Sequence, residues 1–563
     1  MSIVILSFSL FLLALLSSSI LFLSFIHSFI RSSAQSSGIC FFFSRQLVFH
    51  SIIRVTTRKT RSNPARRMFG TALMRIGAAL ALCSSTAVAV TPLVIQGSNF
   101  VNSVTGNRFQ VVGVAYQPGG SSGYNPESGV DPLSDGAVCL RDAALMQRLG
   151  VNAIRVYNID PTINHDECAS IFNAVGIYMM LDVNSPLSGE SIDRSAPWTS
   201  YYAAYLQRTF GVVEAFKDFP NTLLFFSGNE IINDVETGGS VPPYIRAVTR
   251  DLKNYIANHA SRPIPVGYSA ADVREILVDT WSYLQCTTTG DDTDPSRVDL
   301  FALNSYSWCG DSSYTLASYD TLVADFSNTS VPVFFSEYGC NVPAPRIFTE
   351  VPVIYGPLMT PVLSGGVVYE YTQEESNYGL VTLNSDGSAK LRSDFDALQG
   401  QLNTLNVTAL QGVQATNTSV TPPTCTSTLI TEQGFANNFT IPSVPPGAQD
   451  LIDNGIPNPN NGKLIDVTTT KVSQTVESSN GNAISGLSIT LLADDASNNP
   501  SGANDTSSSG SDSGSDSTSA NPSSSTTSSA PSATSSSAAV GRIQTTVSWL
   551  DVLGLMAVGG ALL

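Results

Sequence analysis

Two glutamates stand at the ends of apolar segments and could act together on a glycosidic bond. Glu230 closes the segment TLLFFSGNE at 222–230 and follows Asn229, and Glu337 lies near the end of VPVFFSEYG at 331–339. Cleavage of such a bond needs one carboxyl to protonate the leaving oxygen and a second to attack the sugar or to activate water. We therefore predict that Glu230 is the general acid/base and that Glu337 is the nucleophile.

Other polar and aromatic side chains follow the apolar segments and could contact a sugar. Tyrosine rings can stack on pyranose faces, and amide, carboxylate and guanidinium groups form hydrogen bonds with hydroxyl groups. Asn229 would donate to the sugar 2-hydroxyl. The further candidates for substrate binding are Gln117, Tyr157, Asp272, Arg274, Tyr306, Tyr369 and Tyr371. Taken singly, each has a structural alternative, because a glutamate after a strand is often a solvated loop charge and a strand tyrosine is often core.

Eight strand-like segments alternate with helical patterns between about 95 and 400 and would position these residues. They span 108–117, 152–159, 177–184, 222–230, 264–270, 300–308, 331–339 and 365–373. Continuous apolar strands between amphipathic helices indicate a parallel sheet covered by helices, and eight such units in roughly 300 residues predict a (β/α)8 TIM barrel. Catalytic groups lie at the carboxyl ends of the strands in such barrels, which favours the catalytic interpretation of the two glutamates.

The composition indicates a protein that handles neutral polar ligands. The 563 residues include 28 Lys and Arg against 45 Asp and Glu, and the net charge is −17. The first 90 residues contain basic but no acidic residues, so the remainder of the chain is more acidic still. Nucleic acid phosphates would repel such a body, and we expect no nucleic acid partner.

The amino-terminal part of the chain carries two hydrophobic leaders in series. Residues 1–30 are a nearly unbroken apolar run, and a second apolar segment ends at the small residues 87–89. We interpret 68–89 as a signal peptide and 1–67 as a doubtful extension of the gene model. The alternative is a membrane anchor in residues 1–30. Under either interpretation the chain enters the secretory pathway.

The carboxyl-terminal part carries a second targeting pattern. Residues 501–539 are rich in Ser and Thr and predict a disordered, glycosylated stalk. Small residues near Ser537, a short spacer and an apolar tail predict a GPI attachment site near Ser537 and a propeptide at 540–563. We therefore expect the protein at the outer face of the plasma membrane, with transfer to the cell wall left open. A tail-anchoring helix is the alternative.

Six cysteines follow the leaders, and their even number predicts three disulfides in a secreted protein. They are Cys139, Cys168, Cys286, Cys309, Cys340 and Cys425. Fifteen pairings are open from the count alone. The chain has four histidines and no CxxC motif, so we expect no metal. N-glycosylation sequons begin at Asn328, Asn406, Asn417, Asn438 and Asn504.

Longer motifs between about 90 and 400 identify a family resemblance. In chain order they are VGVAYQ, NAIRVYNID, HDEC, FFSGNE, PVGYSAAD, NSYSWCG, PVFFSEYGCN and GGVVYEYTQEESNYGLV. Together they resemble the fungal β-1,3-glucanosyltransferases of glycoside hydrolase family 72. The resemblance implies a retaining reaction without metal, nucleotide sugar or other cofactor. An internal β-1,3-glucan bond is cleaved, the enzyme holds the new reducing end as a glycosyl ester, and another glucan's non-reducing end displaces it.

The resemblance also assigns individual residues. Glu230 matches the family's proton donor and Glu337 its nucleophile. Substrate contacts match Tyr157, Asn229, Asp272, Arg274 and Tyr369. The implied disulfides are Cys139–Cys168, Cys286–Cys425 and Cys309–Cys340. Since only one cysteine follows Cys340, the chain resembles the GPI-anchored subgroup that lacks a cysteine-rich glucan-binding module.

The resulting domain plan has a catalytic barrel at 90–405 and a small β-rich extension at 406–500, tied to the barrel by Cys425. We expect a monomer that binds β-1,3-glucan donor and acceptor chains and elongates cell-wall glucan. Two alternatives remain open from the residues. A retaining β-1,3-glucanase would use the same carboxylates and the same intermediate, and a catalytically silent wall scaffold would use neither.

Overall fold

Eight parallel strands close into a barrel in the computed structural model, which describes residues 90–120, 124–415, 420–493 and 495–501. The barrel strands are β4 Val111–Ala115, β5 Ala153–Val156, β6 Tyr178–Asp182, β7 Thr222–Asn229, β8 Val266–Ala271, β9 Leu300–Asn304, β10 Val333–Tyr338 and β11 Leu363–Val368. They follow one another around the barrel in chain order, and β11 pairs with β4 to close it. All eight predicted strands are present, and the predicted TIM barrel is confirmed.

Two short sheets accompany the barrel. The first is antiparallel and consists of β1 Leu93–Gln96, β2 Asn99–Asn102 and β3 Arg108–Phe109. The second consists of β12 Val381–Leu383, β13 Ala389–Leu391 and β14 Val476–Glu477. The first sheet covers the amino-terminal end of the barrel, because Phe100 packs edge-to-face on Phe334 and Phe109 packs edge-to-face on Tyr178.

Helices surround the barrel and cover the outer faces of its strands. They are α1 Gly136–Leu149, α2 Asp166–Ala174, α3 Pro197–Ser200, α4 Ala203–Phe216, α5 Val235–Ser240, α6 Pro242–His259, α7 Leu277–Gln285, α8 Tyr319–Asp325, α9 Val351–Ile354, α10 Ser393–Leu402, α11 Val407–Gln411 and α12 Ala448–Asn454. Six of the barrel strands contain only buried residues, which explains their continuous apolar sequence. No helix in the described part of the chain is long and apolar enough to cross a membrane.

Closure of the barrel requires a glycine in its last strand. Gly365 in β11 pairs with Val111 in β4 and has a φ of 93°. A Cβ atom at this position would lie 2.1 Å from the carbonyl oxygen of Val111. Only glycine adopts this conformation without a clash, so Gly365, the first glycine of GGVVYEY, lets the first and last strands meet.

The segment 406–500, predicted as a small β-rich extension, contains less regular β-structure than expected. Beyond Leu405 the described chain forms α11, a short 3-10 helix, α12 and the two-residue strand β14, and the remainder is irregular. Residues 425–493, which we call the belt, run along the barrel helices. Backbone N–H groups of the belt donate to helix side chains, for example from Lys463 to Asp166 in α2 and from Thr490 to Gln147 in α1. The two segments that suggested strands, 468–479 and 482–492, also pair with each other: Val472 N–H donates to the carbonyl of Leu487, and Ile489 N–H donates to the carbonyl of Thr470. Within them, β14 is the one stretch that joins a sheet in the described residues.

Three disulfides are present, with the pairings that the family resemblance implies. They are Cys139–Cys168, Cys286–Cys425 and Cys309–Cys340. Cys286 follows α7 directly, so its bond with Cys425 fastens the start of the belt to the barrel. The predicted leaders at 1–67 and 68–89, most of the predicted stalk and the GPI signal lie outside the described residues.

Loss of the Cys286–Cys425 bond should destabilise the protein more than loss of Cys139–Cys168. The first bond joins residues 139 positions apart and the second joins residues 29 apart. The chain-entropy model then predicts that the double serine variant at Cys286 and Cys425 loses about 1.4 kcal/mol more free energy of unfolding than the matched variant at Cys139 and Cys168. Denaturant unfolding of both variants measures this difference, and an equal or reversed order would contradict the role of the belt bond.

Candidate active site

A cavity of about 410 Å³ opens at the carboxyl ends of the barrel strands, and we call it the cleft. Strand ends contribute most of its polar lining, namely Gln117, Tyr157, Asn158, Asp182, Asn229, Glu230, Glu337 and Tyr369. The loop after β6 contributes residues 184–186 and 191–194. A second cavity of about 800 Å³, lined by Lys253 and Asp299 among others, contains none of the predicted site residues. The structure therefore brings the two predicted catalytic glutamates into one cleft.

Glu337 is buried and held by three donors. Its Oε1 accepts hydrogen bonds from the Tyr157 hydroxyl at 3.0 Å and from Arg155 Nη1 at 3.2 Å, and its Oε2 accepts one from the Tyr306 hydroxyl at 2.7 Å. Burial raises the pKa of Glu337 to about 7, and the charge of Glu230 acts in the same direction. Arg155 and the two tyrosine hydroxyls oppose this rise, because they stabilise the carboxylate. These fixed donors suit a nucleophile that must be ionised.

Glu230 has a more open environment. It is half-buried, and its Oε1 accepts one hydrogen bond, from Asn304 Nδ2 at 2.9 Å. Its φ of 48° lies in the left-handed region, which is unusual for a residue other than glycine. The backbone N–H of Glu230 donates to the carbonyl of Ser269 at 2.8 Å and helps to hold this conformation. A carboxyl that faces the cleft with few fixed partners suits proton transfer to and from a substrate.

Arg155 forms a hydrogen bond with the nucleophile Glu337, and it was not predicted as a site residue from the sequence. Its side chain is fully buried, and its guanidinium donates to both carboxylate oxygens of Asp182, at 3.0 and 3.2 Å, as well as to Glu337. The same group lies 4.4 Å from the ring centre of Tyr157. Burial opposes the charge of Arg155, but Asp182, Tyr157 and Glu337 outweigh burial and raise its pKa. A charged residue in the otherwise apolar strand NAIRVYN was the available signal.

The amide of Asn229 is oriented by its neighbours. Asn229 Oδ1 accepts hydrogen bonds from Arg155 Nη2 at 2.9 Å, from Ser269 Oγ at 2.8 Å and from Asn304 Nδ2 at 3.1 Å. The side-chain oxygen is thereby committed to the protein. The NH₂ group of Asn229 is then the donor for a ligand, in agreement with the predicted contact to a sugar hydroxyl.

Four tyrosines form an aromatic wall beside the glutamates, namely Tyr157, Tyr306, Tyr369 and Tyr378. Their neighbouring rings meet edge-to-face, with centroids between 5.4 and 6.5 Å apart. Edge-to-face packing is a favourable arrangement for aromatic rings. The sequence predicted three of these four tyrosines and missed Tyr378, which comes well after the last barrel strand.

Arg346 stabilises the backbone of this wall, and it also was not predicted as a site residue from the sequence. It is buried, and its guanidinium donates to the carbonyl oxygens of Tyr369 and Tyr378. Its Nε donates to Asp394 in α10 at 2.7 Å. Arg346 therefore fixes the backbone of two wall residues relative to the helix that follows the barrel.

Tyr371 does not line the cleft, which contradicts its predicted contact with substrate. Its side chain is fully buried, its hydroxyl donates to Asp142 in α1 at 2.7 Å, and its ring packs on Tyr116. The prediction extended the last strand to residue 373 and counted Tyr371 among the residues at its end. The strand ends at Val368, so the alternation of side chains does not extend to Tyr371.

Among the remaining predicted residues, Gln117 lines the cleft, whereas Asp272 and Arg274 do not. Gln117 lines the cleft, and its buried Nε2 has no hydrogen-bond partner among the described residues, so it can donate to a ligand. Asp272 and Arg274 form an ion pair with each other beyond β8, and Ser305 Oγ donates to Asp272 at 2.7 Å. Neither residue of this pair is part of the cleft lining, and their contact with substrate stays a prediction.

Within the described residues, no cluster of His, Cys, Asp or Glu is arranged to hold a metal.

Comparison with known proteins identifies the family. A family model described as "Glucanosyltransferase" matches residues 82–406. The 1,3-beta-glucanosyltransferase gel2 of Aspergillus fumigatus is 52% identical over 77% of this chain and 90% of its own length. The probable 1,3-beta-glucanosyltransferase GAS3 of Saccharomyces cerevisiae is 46% identical over 69% of this chain and 77% of its own length.

A solved structure agrees with this match. Gas2p of Saccharomyces cerevisiae, in complex with laminaritetraose and laminaripentaose, superposes with a TM-score of 0.55 and 34% sequence identity. The superposition covers 63% of this chain and 75% of that one. The fold, the pair of glutamates in one cleft and the match over most of the barrel lead to one conclusion. The chain belongs to the glucanosyltransferase family, glycoside hydrolase family 72.

Proposed function

We propose that this protein is a retaining 1,3-β-glucanosyltransferase that elongates β-1,3-glucan, with Glu230 and Glu337 as its catalytic pair. The observation that carries the proposal is the contrast between the two carboxyls in the cleft. Glu337 has three fixed donors, and Glu230 has one. The names of the relatives and the laminari-oligosaccharides bound to Gas2p support β-1,3-glucan as the substrate class.

In the first step, Glu337 attacks the anomeric carbon of a glucose unit within the donor chain. Glu230 gives its proton to the glycosidic oxygen, and the fragment on the far side of that bond leaves. The product is a glycosyl ester on Glu337. Arg155, Tyr157 and Tyr306 hold the carboxylate in place for the attack through the hydrogen bonds described above.

In the second step, Glu230 regains a proton and the ester bond to Glu337 is broken. Glu230, now a carboxylate, takes the proton from the 3-hydroxyl at the non-reducing end of an acceptor glucan. The acceptor oxygen attacks the anomeric carbon and displaces Glu337, so the new bond keeps the β configuration. Water in place of the acceptor would give hydrolysis, so acceptor occupancy decides between transfer and hydrolysis. Tyr306, Tyr369 and Tyr378 offer ring surfaces on which an acceptor sugar can be held.

We further propose that the protein is a monomer held by a GPI anchor at the outer face of the plasma membrane. The small residues near Ser537, the stalk and the apolar tail support this location. Release from intact cells by a phosphatidylinositol-specific phospholipase tests the anchor, and light scattering of the secreted protein tests the monomer. Retention on the cells after phospholipase treatment would contradict the anchor.

Incubation of the secreted protein with one reduced β-1,3-gluco-oligosaccharide should give products longer than the donor. Glu230→Gln and Glu337→Gln should each lower the rate by about 10³-fold, because proton transfer and covalent attack depend on these carboxyls. Glu375→Gln is the matched control, since Glu375 is exposed and lies outside the cleft. Separation of the products by size gives the result. Only shorter products would indicate a hydrolase, and no reaction in the wild type would indicate a silent scaffold.

Tyr306→Phe should move the acidic limb of the kcat/KM profile to higher pH. The variant loses the hydroxyl that donates to Glu337 Oε2 at 2.7 Å. This hydrogen bond favours the carboxylate, so its loss raises the pKa of Glu337 further above its ordinary value. We expect a shift of about one pH unit.

Tyr371→Phe is the matched control for the pH experiment. It removes a buried tyrosine hydroxyl of equal size that bonds to Asp142 outside the cleft. Its acidic limb should coincide with that of the wild type. An unmoved limb in Tyr306→Phe, or equal shifts in both variants, would show that Tyr306 does not tune the nucleophile.

A further inference from the structure

Two exposed aromatic side chains follow the loop that forms one wall of the cleft. Trp198 is 61% exposed and Tyr202 is 38% exposed. Among the described residues, they are the only aromatic side chains in the exposed class. Trp281 and Trp308, by contrast, are 8% and 4% exposed. Exposed aromatic rings offer flat amphipathic surfaces that can contact a ligand.

The segment that carries both residues contacts the loop of the cleft wall. The cleft lining includes residues 191–194, and the backbone N–H of Asp193 donates to Ser200 Oγ at 2.8 Å. This bond ties α3, which carries Trp198, to the cleft wall. The Tyr202 hydroxyl donates to the carbonyl of Gly189, in the same loop, at 3.4 Å. These bonds place the segment 197–202 next to the loop that lines the cleft.

We propose that Trp198 and Tyr202 form a distal platform that binds the β-1,3-glucan chain where it leaves the cleft. A cavity of about 410 Å³ is of the size that encloses a small ligand, so a polymer must continue over its rim. The rim at this loop offers flat apolar rings that can stack on the C–H faces of glucose. This platform rests on the proposed glucan substrate and adds a recognition site outside the catalytic cleft.

The position of the platform next to the cleft indicates which ligand it binds. A protein partner on the same rings would cover the wall of the cleft and compete with a long glucan. A neutral polysaccharide needs no charged partner, and the two rings supply none. The glucan chain is therefore the ligand that both surfaces can bind at the same time.

The test compares a short and a long β-1,3-glucan donor in the secreted protein. Trp198→Ala should raise the KM for the long donor about fivefold, the effect of losing roughly one aromatic stacking contact. The kcat values and the KM for the short donor should stay unchanged. Trp198→Phe should keep most of the long-donor affinity, because it keeps a ring. Leu358→Ala is the control for loss of an exposed apolar side chain, since Leu358 is 56% exposed and precedes β11, at the end of the barrel away from the cleft.

Three outcomes would contradict the platform or the proposed function on which it rests. An unchanged long-donor KM in the Trp198→Ala and Tyr202→Ala double variant would overturn the platform and leave a protein partner as the ligand of this surface. An equal rise of KM for both donors would overturn it as well, because the rings would then belong to the cleft. Absence of transfer with either donor in the wild type would reject the proposed function itself. Equal thermal unfolding of all variants excludes misfolding as the cause.

Discussion

The buried guanidinium of Arg155 is the constraint on which the rest of the site depends. A cation without access to water must be paired, and removal of one partner from a buried pair costs about 3–5 kcal/mol. Arg155, in β5, meets Asp182 at the end of β6, Asn229 at the end of β7 and Glu337 in β10. These side chains come from strands on different sides of the barrel. They can surround one cation only when the barrel is closed, so the pairing of this charge and the assembly of the site are the same event.

The chemical difference between the two glutamates follows from this arrangement. Glu337 accepts hydrogen bonds from Arg155 and from two tyrosine hydroxyls, whereas the carboxyl of Glu230 accepts one, from Asn304, among the residues that the structure describes. The same fold thus holds one carboxyl as a fixed anion and leaves the other open to the substrate oxygen. The aromatic wall depends on a second buried arginine, because Arg346 joins the carbonyls of Tyr369 and Tyr378 to Asp394 in α10.

The sequence predicted those parts that depend on local pattern. Each barrel strand is covered on both faces, so its apolar run stands out, and the catalytic carboxyls follow such runs directly. Arg155 and Arg346 could not be assigned, because a charged residue in a strand or loop gains its meaning from partners far away in the chain. Tyr371 was misplaced because the alternation of a strand does not extend beyond its end. The β-structure of the belt was overestimated, because its two strand-like segments pair over a few residues only and other backbone N–H groups of the belt donate to helix side chains. No local pattern of the belt reveals those helix partners.

The most direct test of the central claim is to trap the glycosyl-enzyme. A β-1,3-linked oligosaccharyl fluoride with fluorine in place of the 2-hydroxyl forms the ester quickly and releases it slowly, since the fluorine disfavours positive charge at the anomeric carbon. Peptide mass spectrometry of the labelled secreted protein then locates the bond. Our account predicts one sugar adduct on Glu337, which is absent in Glu337→Gln. A stable adduct on Glu230 or on any other residue would contradict the assignment of the nucleophile.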